Sequence, residues 1–353
     1  MIEVHRITDG ADWNTYVDRA NGGSIFHRAE FLRAIAAETG MDLDLLVGKN
    51  GEHPIGILPV FSGTKGPLGM VFSPPPHAGI PHLGPAMMLD PNIKYRKAAL
   101  RTKEFVEACV DWIDRERDPQ YVRIVTNTAF DEVRPFRWLG FDVTPRFTYE
   151  LDISRDESEL LRSFSRDARS SIQDNYDRES VIADGGKQQF LETEPDPAYE
   201  IENAGEDAIE YLAERLERRF DEQGKTCPVS APYLQSIYEG LPDGAIDVYR
   251  LRIDGRPVSG RISLFHGGRL TYWQGVPRPT VDVDIPINDL LNWHSIRRAR
   301  ELGCDTAELS GANIERLWDY KAKFNPELAT YYVLERTSMG TAPLLALYKW
   351  WRA

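Results

Sequence analysis

Apolar positions along the chain recur at two spacings, every second residue and every third or fourth, and stretches of the two kinds follow one another throughout. A short strand, EVHRI, comes first. A helix near ADWNTYVDRA follows, then a second, SIFHRAEFLRAIAAETG, that Gly40 ends. LDLLVGKNGEHPIGILPVF reads as a hairpin, two apolar runs on either side of Lys49-Asn50-Gly51-Glu52. FSPPPHAGIPHLGPAMML carries too much proline and glycine for a regular element and reads as a connector across a cleft or domain edge. Next the spacing predicts a long helix over residues 94 to 114, the strand YVRIVTN, and a short helix in FDEVRPFRWLG closed by Gly140. VTPRFTYELDI is a strand leading away.

The second half repeats that logic. DESELLRSFSRDARSSIQDN predicts one helix with Leu160, Leu161 and Phe164 on one face; GEDAIEYLAERLERRFDEQG and APYLQSIYEGL predict two more. IDVYRLRI, RPVSGRISLF and RLTYWQGV form a meander turned at Asp254-Gly255 and Gly267-Gly268. After it come the helix PINDLLNWHSIRRARELG, the strand TAELSG, the helix NIERLWDYKAKF, the strand ATYYVLER and a last helix, PLLALYKWWRA. Each half is therefore a set of helices on a small, mostly antiparallel sheet, an α+β class. The repeated layout suggests an ancient duplication, although no repeat is visible residue by residue.

Composition narrows the partners. A chain of 353 residues with 42% hydrophobic content is long enough for two cores. Its formal net charge of −13 opposes general association with phosphate backbones but leaves room for a local basic pocket. Lysine is scarce, 10 against 32 arginines, and 28 aspartates and 27 glutamates dominate, a surface consistent with a salty cytoplasm. Cys109, Cys227 and Cys304 are odd in number and widely spaced, which argues against disulfides and zinc alike. MIEVHRITDG lacks the pattern of a signal peptide, and no apolar run approaches the roughly 20 residues of a membrane span, so a cytoplasmic location is expected.

Few candidate residues stand out alone. The seven histidines show no metal-ligand spacing, and neither a GxSxG elbow nor a Walker loop is present. A CoA-dependent acetyltransferase cradles pyrophosphate on a glycine-rich loop that opens a helix. The corresponding run here, VPRPTVDVDIPIND, has no glycine and carries Asp282, Asp284 and Asp289, so weak acetyl-CoA binding is expected. Arg166, Arg169, Arg215, Arg218 and Arg219 are either solvated helix charges or ligand contacts. Tyr272 and Trp273 are either sheet packing or a binding surface.

In order along the chain, however, these pieces resemble the FemAB family, GNAT-like peptidyltransferases of the peptidoglycan-bridge type. PINDLLNWHSIRRARELGCDTAELSG followed by LWDYKAKFNPEL is similar to the family's closing half, with Tyr320-Lys321 and Phe324 at its aromatic-Lys…Phe element. SIFHRAEFLRA and IGILPVF resemble its opening, and YELDISRDESELLRSFSRDARSSIQ its entry into the second domain, with Arg169 at the family's arginine. The resemblance implies two tandem GNAT-like domains, residues 1–150, completed by a C-terminal helix over 341–353, and 151–340, which carries the active cleft. It implies transfer of an aminoacyl or acyl group to an amine on a small molecule or peptide. Aminoacyl-tRNA, through its acceptor end, or acyl-CoA serves as co-substrate, and neither metal nor resident cofactor is used. Leu32-Arg33-Ala34-Ile35 stands where the peptidoglycan enzymes place a phosphate-holding lysine, which argues against a muropeptide acceptor.

Amine attack on an ester or thioester needs positioning and a counter-charge for the tetrahedral oxyanion rather than an enzyme nucleophile. Lys321 is the expected electrostatic stabiliser and Tyr320 its positioning partner. Arg169, Arg219, Tyr233, Tyr272, Trp273 and His294 are the residues expected to bind substrate. Two other readings stay open: an acyl-CoA-dependent N-acyltransferase with an atypical CoA site, and a binding protein that keeps the tandem fold without chemistry.

Overall fold

The structure is a computed structural model that describes residues 1–176, 199–276 and 285–338, together with the backbone of two strands between 181 and 187. The chain divides into two compact units, Phe147–Ala329 and a first unit of Met1–Arg146 joined by the chain from Thr330 onward. The expected C-terminal helix over 341–353 lies outside the described residues.

The first unit contains β1 (Glu3–Ile7), α1 (Gly10–Arg19), α2 (Ala29–Thr39), β2 (Asp42–Asn50), β3 (His53–Lys65), β4 (Leu68–Ser73), β5 (Ala86–Met87), α3 (Tyr95–Arg117), β6 (Tyr121–Val125) and α4 (Arg134–Trp138). β7 (Asp142–Asp152) carries the chain into the second unit. β1 to β4 pair antiparallel in sequence order, and β6 lies parallel to β4. The predicted hairpin is β2–β3, turned at Gly51 with φ 58°. β4, which the pattern did not predict, continues that hairpin through a second tight turn at Gly66 (φ 58°). The predicted helix from Ser24 is a short 3-10 turn, Ile25–His27, followed by α2, which ends at Gly40 in the left-handed conformation (φ 65°).

One seat fixes α3 on this sheet. Gly48 of β2 and Gly56 of β3 face each other in register, and the fully buried Phe105 ring of α3 lies over both. A methyl group at Gly48 would stand 2.5 Å from Cδ2 of that ring, and one at Gly56 3.0 Å from Cζ. The far end of α3 is tied down by charge: Arg117 Nε donates to the fully buried Asp44 carboxylate at 2.8 Å, and Arg6 of β1 lies against the same carboxylate.

The second unit contains α5 (Glu157–Ser163), α6 (Arg166–Asn175), β8 (Val181–Asp184), β9 (Gly186–Lys187), β10 (Tyr199–Asn203), α7 (Glu206–Glu222), α8 (Ala231–Gly240), β11 (Ile246–Ile253), β12 (Arg256–His266), β13 (Arg269–Gly275), α9 (Ile287–Glu301), β14 (Thr306–Glu308) and α10 (Glu315–Ala322). Its sheet runs β7-β14-β13-β12-β11-β10-β8-β9, with the predicted meander at its centre. The predicted single helix from residue 156 is two, because Phe164 turns into the core and Ser165 caps α6 by accepting from the Ala168 N–H. β15 (Glu327–Thr337) leaves this unit: from Val333 it pairs with β6, so the second unit ends at Ala329, before the expected residue 340.

Replacing Gly48 with Ala forces the Phe105 ring to move in a packed core and is expected to destabilise the protein by about 1–3 kcal/mol. Denaturant unfolding checks this; a midpoint unchanged from the wild type would show that the ring has room the structure does not display.

Candidate active site

β13 and β14 are parallel but pair over only three residues, Arg269↔Thr306, Leu270↔Ala307 and Thr271↔Glu308. Past Thr271, β13 stays with β12, while the chain after β14 turns off through Ser310 (φ 55°) and Gly311 (φ 80°). The two strands thus part at their carboxyl ends, the place where open parallel sheets receive ligands.

Two helices fill in around that parting. α9 packs on the sheet face that presents Tyr249, Arg261 and Tyr272. α10 follows β14 and buries none of its own residues fully. An aromatic ladder holds α10: Tyr320 packs edge-on to Phe324 (5.8 Å between centroids), Phe324 to Phe164 (5.3 Å) and Phe164 to Trp293 (5.9 Å). The Ser165 N–H also donates to the Lys323 carbonyl at 2.8 Å.

Asn292 of α9 is the hub. Its side-chain carbonyl accepts from Arg261, its amide donates to the Tyr320 hydroxyl at 2.6 Å, and its backbone carbonyl accepts from the Tyr272 hydroxyl at 2.7 Å. Arg261 is buried and stacks 4.4 Å from the Tyr272 ring centroid. Lys321 completes the group, its Nζ 5.2 Å from the Tyr272 centroid and 5.9 Å from that of Tyr320. It has no acidic partner among the described residues. Burial, aided by the nearby Arg261 charge, pushes its pKa down from the usual lysine range to about 7. Ring faces stabilise the ammonium less than water or a carboxylate would, so this cation is held in reserve.

Two positions on, Lys323 has the opposite environment. It pairs with Asp167 at 2.8 Å and lies 4.0 Å from Asp289, and its pKa is raised. Asp289 is buried, and burial holds its carboxyl above the usual range against the pull of the Tyr320 hydroxyl and the Lys323 cation; its Oδ1 has no hydrogen-bond partner. Burial raises the Tyr320 hydroxyl as well, with Asp289 the next contributor.

The residues expected from the sequence are only partly brought together. Lys321, Tyr320 and Tyr272 meet. Trp273 is the extra residue where the register of β12 and β13 shifts, and it packs edge-on to Tyr233 of α8 at 6.2 Å, a contact that includes none of the Lys321 group. His294 sits two residues from Asn292, on another side of α9. Its Nδ1 shares a 2.9 Å hydrogen bond with Tyr176, Tyr249 stacks against it, and burial lowers its pKa to about 3, which keeps the ring neutral. The cavity it lines with Asp247 and Arg298 is about 50 Å³, room for a water rather than a substrate. Arg169 is held locally, its Nη1 donating to the Arg162 carbonyl at 3.3 Å. Arg219 is half-buried on α7 and near Arg316 of α10. Desolvation and that second cation lower its pKa, and neither arginine has an acidic partner among the described residues.

Sequence reasoning missed Asn292, Arg261 and Arg316, and read Asp289 only as a charge that repels pyrophosphate. Nothing local marks them; they matter through partners many positions away. Asp282 and Asp284 lie outside the described residues. Among the described residues, no group of three or more His, Cys, Asp or Glu side chains is placed to share a metal ion, and no helix is long and apolar enough to cross a membrane.

The family model described as an acetyltransferase (GNAT) domain matches residues 185–322, most of the second unit. The crystal structure of FemX is similar at a TM-score of 0.70 and 14% identity, over 98% of this chain and 99% of that one. A tandem GNAT protein from the clavulanic acid biosynthesis pathway is similar at a TM-score of 0.52 and 12% identity, over 96% of this chain and 98% of that one. The C-terminal domain of a putative lysylphosphatidylglycerol synthetase from Agrobacterium fabrum gives 0.53 and 13%, over 96% of both chains. At these identities the likeness is one of fold. No curated protein matches the chain at significance. Residues 185–322 thus match a GNAT acetyltransferase domain, and the fold is similar to that of FemX along nearly the whole chain.

The depressed pKa of Lys321 has a consequence for stability. In the unfolded chain this lysine titrates near pH 10.4, in the folded one near 7. Between those values the unfolded state holds a proton that the folded state has lost, so the lysine's contribution to stability rises with pH. Lys321→Met removes a poorly solvated charge and should raise the melting temperature most at pH values below about 7, the gap to wild type narrowing toward pH 10. Melting curves across that range check it; a gap independent of pH would mean that the ammonium is well solvated.

Proposed function

We propose that the protein is an acyl- or aminoacyltransferase that moves the acyl group of an activated ester or thioester onto an amine. In that reaction the amine nitrogen forms a bond to the acyl carbon, the bond to the leaving oxygen or sulfur breaks, and the proton lost by the amine ends on the leaving group. Between the two lies a tetrahedral species whose oxygen carries a negative charge. A cation placed in a dry setting, and not already neutralised, stabilises that charge far more than it stabilises the uncharged carbonyl.

Lys321 is such a cation, and this carries the reading: an ammonium beside two tyrosine rings, with no acidic partner among the described residues, where β13 and β14 part. Asn292 fixes Tyr320 and Tyr272, and so the two rings that seat it. Arg219, half-buried, under the influence of the Arg316 cation and without an acidic partner among the described residues, supports a donor that carries phosphate groups. Both aminoacyl-tRNA and acyl-CoA carry such groups. Thermal-shift titration with each separates them, because the donor that binds the native state raises its melting temperature. A chain that no donor stabilises and that transfers no acyl group would be the binding protein instead.

Lys321→Ala is expected to lower turnover by about a hundredfold, the loss of roughly 3 kcal/mol of transition-state stabilisation. Lys323→Ala, which removes an ion-paired lysine of the same helix, leaves turnover within a few-fold. The role also has a pH signature. If the protonated form works, kcat/KM falls as pH rises through about 7, and Lys321→Arg moves that fall out of range while keeping some activity. A kcat/KM that instead rises through the same pH and loses the rise in the arginine variant would make Lys321 a base.

Removing one member of the arginine pair tests the anionic donor. Arg219→Ala or Arg316→Ala should raise KM for the donor about tenfold and leave kcat nearly unchanged, the mark of uniform binding. A fall in kcat with KM constant would place the pair in the transition state rather than on the donor.

A further inference from the structure

The start of α3 and the short helix α4 build a surface unlike the rest of this acidic chain. Between residues 94 and 103 stand Lys94, Arg96, Lys97, Arg101 and Lys103, with no acid among them, and they include three of the chain's ten lysines. Arg101 and Lys103 are engaged by Glu104 and Glu107 at 3.0 and 2.7 Å, and Arg134 by Glu132 and the Tyr95 hydroxyl. Lys94, Arg96, Lys97 and Arg137 are exposed and have no acidic partner among the described residues.

Set among these cations is an apolar hollow of about 210 Å³, walled by Tyr95, Ala99, Leu100, Pro135 and Trp138. Tyr95 is 73% exposed, Trp138 64% and Leu100 44%. Single exposed apolar side chains are ordinary; three around one hollow, two of them aromatic, form a patch that marks a contact surface.

We propose that this face docks on the surface of an anionic lipid bilayer. The unpaired cations would meet lipid phosphates, and Trp138, Tyr95 and Leu100 would enter the interfacial layer beneath them. Both halves of the patch favour that occupant. Tryptophan and tyrosine, apolar rings with polar tips, suit the headgroup boundary, and a lysine- and arginine-rich helix with an apolar side is what lies flat on such a surface. Nucleic acid would use the cations but gain little from Leu100, Ala99 and Pro135, because it binds by stacking on ring faces. The Tyr95 hydroxyl is already bonded to Arg134 at 2.7 Å, which ties the ring to α4 instead of leaving it free to stack. The proposed association is peripheral, a contact of this one face with the bilayer surface.

Flotation of the full chain with two kinds of vesicle, phosphatidylcholine alone and phosphatidylcholine with about one third phosphatidylglycerol, reads the proposal directly. Binding is expected to the anionic vesicles only, and to weaken as salt is added. Lys94→Gln, Arg96→Gln and Lys97→Gln together should lower partitioning by about a hundredfold, since each cation near such a surface is worth roughly fivefold. Leu100→Ser with Trp138→Ser changes no charge and should lower it further at constant salt. All five positions are exposed, so melting temperatures should hold, and Lys225→Gln, elsewhere on the surface, should leave binding unchanged. Failure to float with anionic vesicles overturns the proposal, as does binding that neither set of variants weakens. So does a patch whose loss abolishes RNA binding or self-association in sedimentation while vesicle binding persists.

Discussion

Asn292 bonds in three directions, and the candidate site exists because it does. Its amide sets Tyr320, its side-chain oxygen receives Arg261, and its backbone carbonyl receives Tyr272. Those partners come from α10, β12 and β13, so one side chain and its backbone carbonyl tie a helix to two strands of the sheet. A buried amide with both ends satisfied is rigid, because rotating it breaks two hydrogen bonds at once and strands buried polar groups. The rings that seat Lys321 therefore owe their positions to a residue that never approaches the lysine through its own charge. α10 needs that help, since none of its own residues is fully buried and it is held by the Tyr320 bond, by Phe324 just after it and by the ties of Lys323 to Ser165 and Asp167.

Lys321 and Lys323 show how one short helix serves two purposes. Lys323 is bound to Asp167, next to the cap of α6, and steadies the end of α10. Lys321 is poorly solvated and unpaired, which destabilises the fold at neutral pH and leaves its charge uncommitted. Sites that break the local rules of stability in this way are where chemistry is expected. The acidic balance of the whole chain sharpens the contrast, for acids are plentiful and none among the described residues pairs with Lys321.

Much of the fold was legible in the sequence, and the reasons are local. Gly40, Gly51 and Gly140 mark chain reversals at positions where φ is positive, and the alternation of IDVYRLRI and RPVSGRISLF survives as a central meander. β4 was not legible, because LGMVFS is short, contains a glycine and runs straight into three prolines. β10 was lost for a similar reason, its YEIEN being brief and half acidic. The break between α5 and α6 hides inside good helical spacing, and only the pull of the core on Phe164 produces it. In the site, Lys321 and Tyr320 were singled out by the resemblance of LWDYKAKFNPEL to a family element, since a lysine on a short helix is otherwise an ordinary solvated charge. Asn292 and Arg261 were not, since their partners lie about thirty positions away and an asparagine in a helix or an arginine in a strand carries no mark of what it will meet.

The seat of Phe105 on Gly48 and Gly56 has a further consequence, for how the sequence can change over time. The glycines face each other across two strands, and the ring covers both, so no one of the three positions can vary freely. A lineage that gains a side chain at either glycine must give up the large ring in the same step or carry a strained core until it does. A lineage that loses the ring opens a void that only bulk at the glycines could refill. The three residues belong to different elements and are of types usually thought unrelated, yet a change at one constrains the others, and what they jointly preserve is the placement of α3 on its sheet.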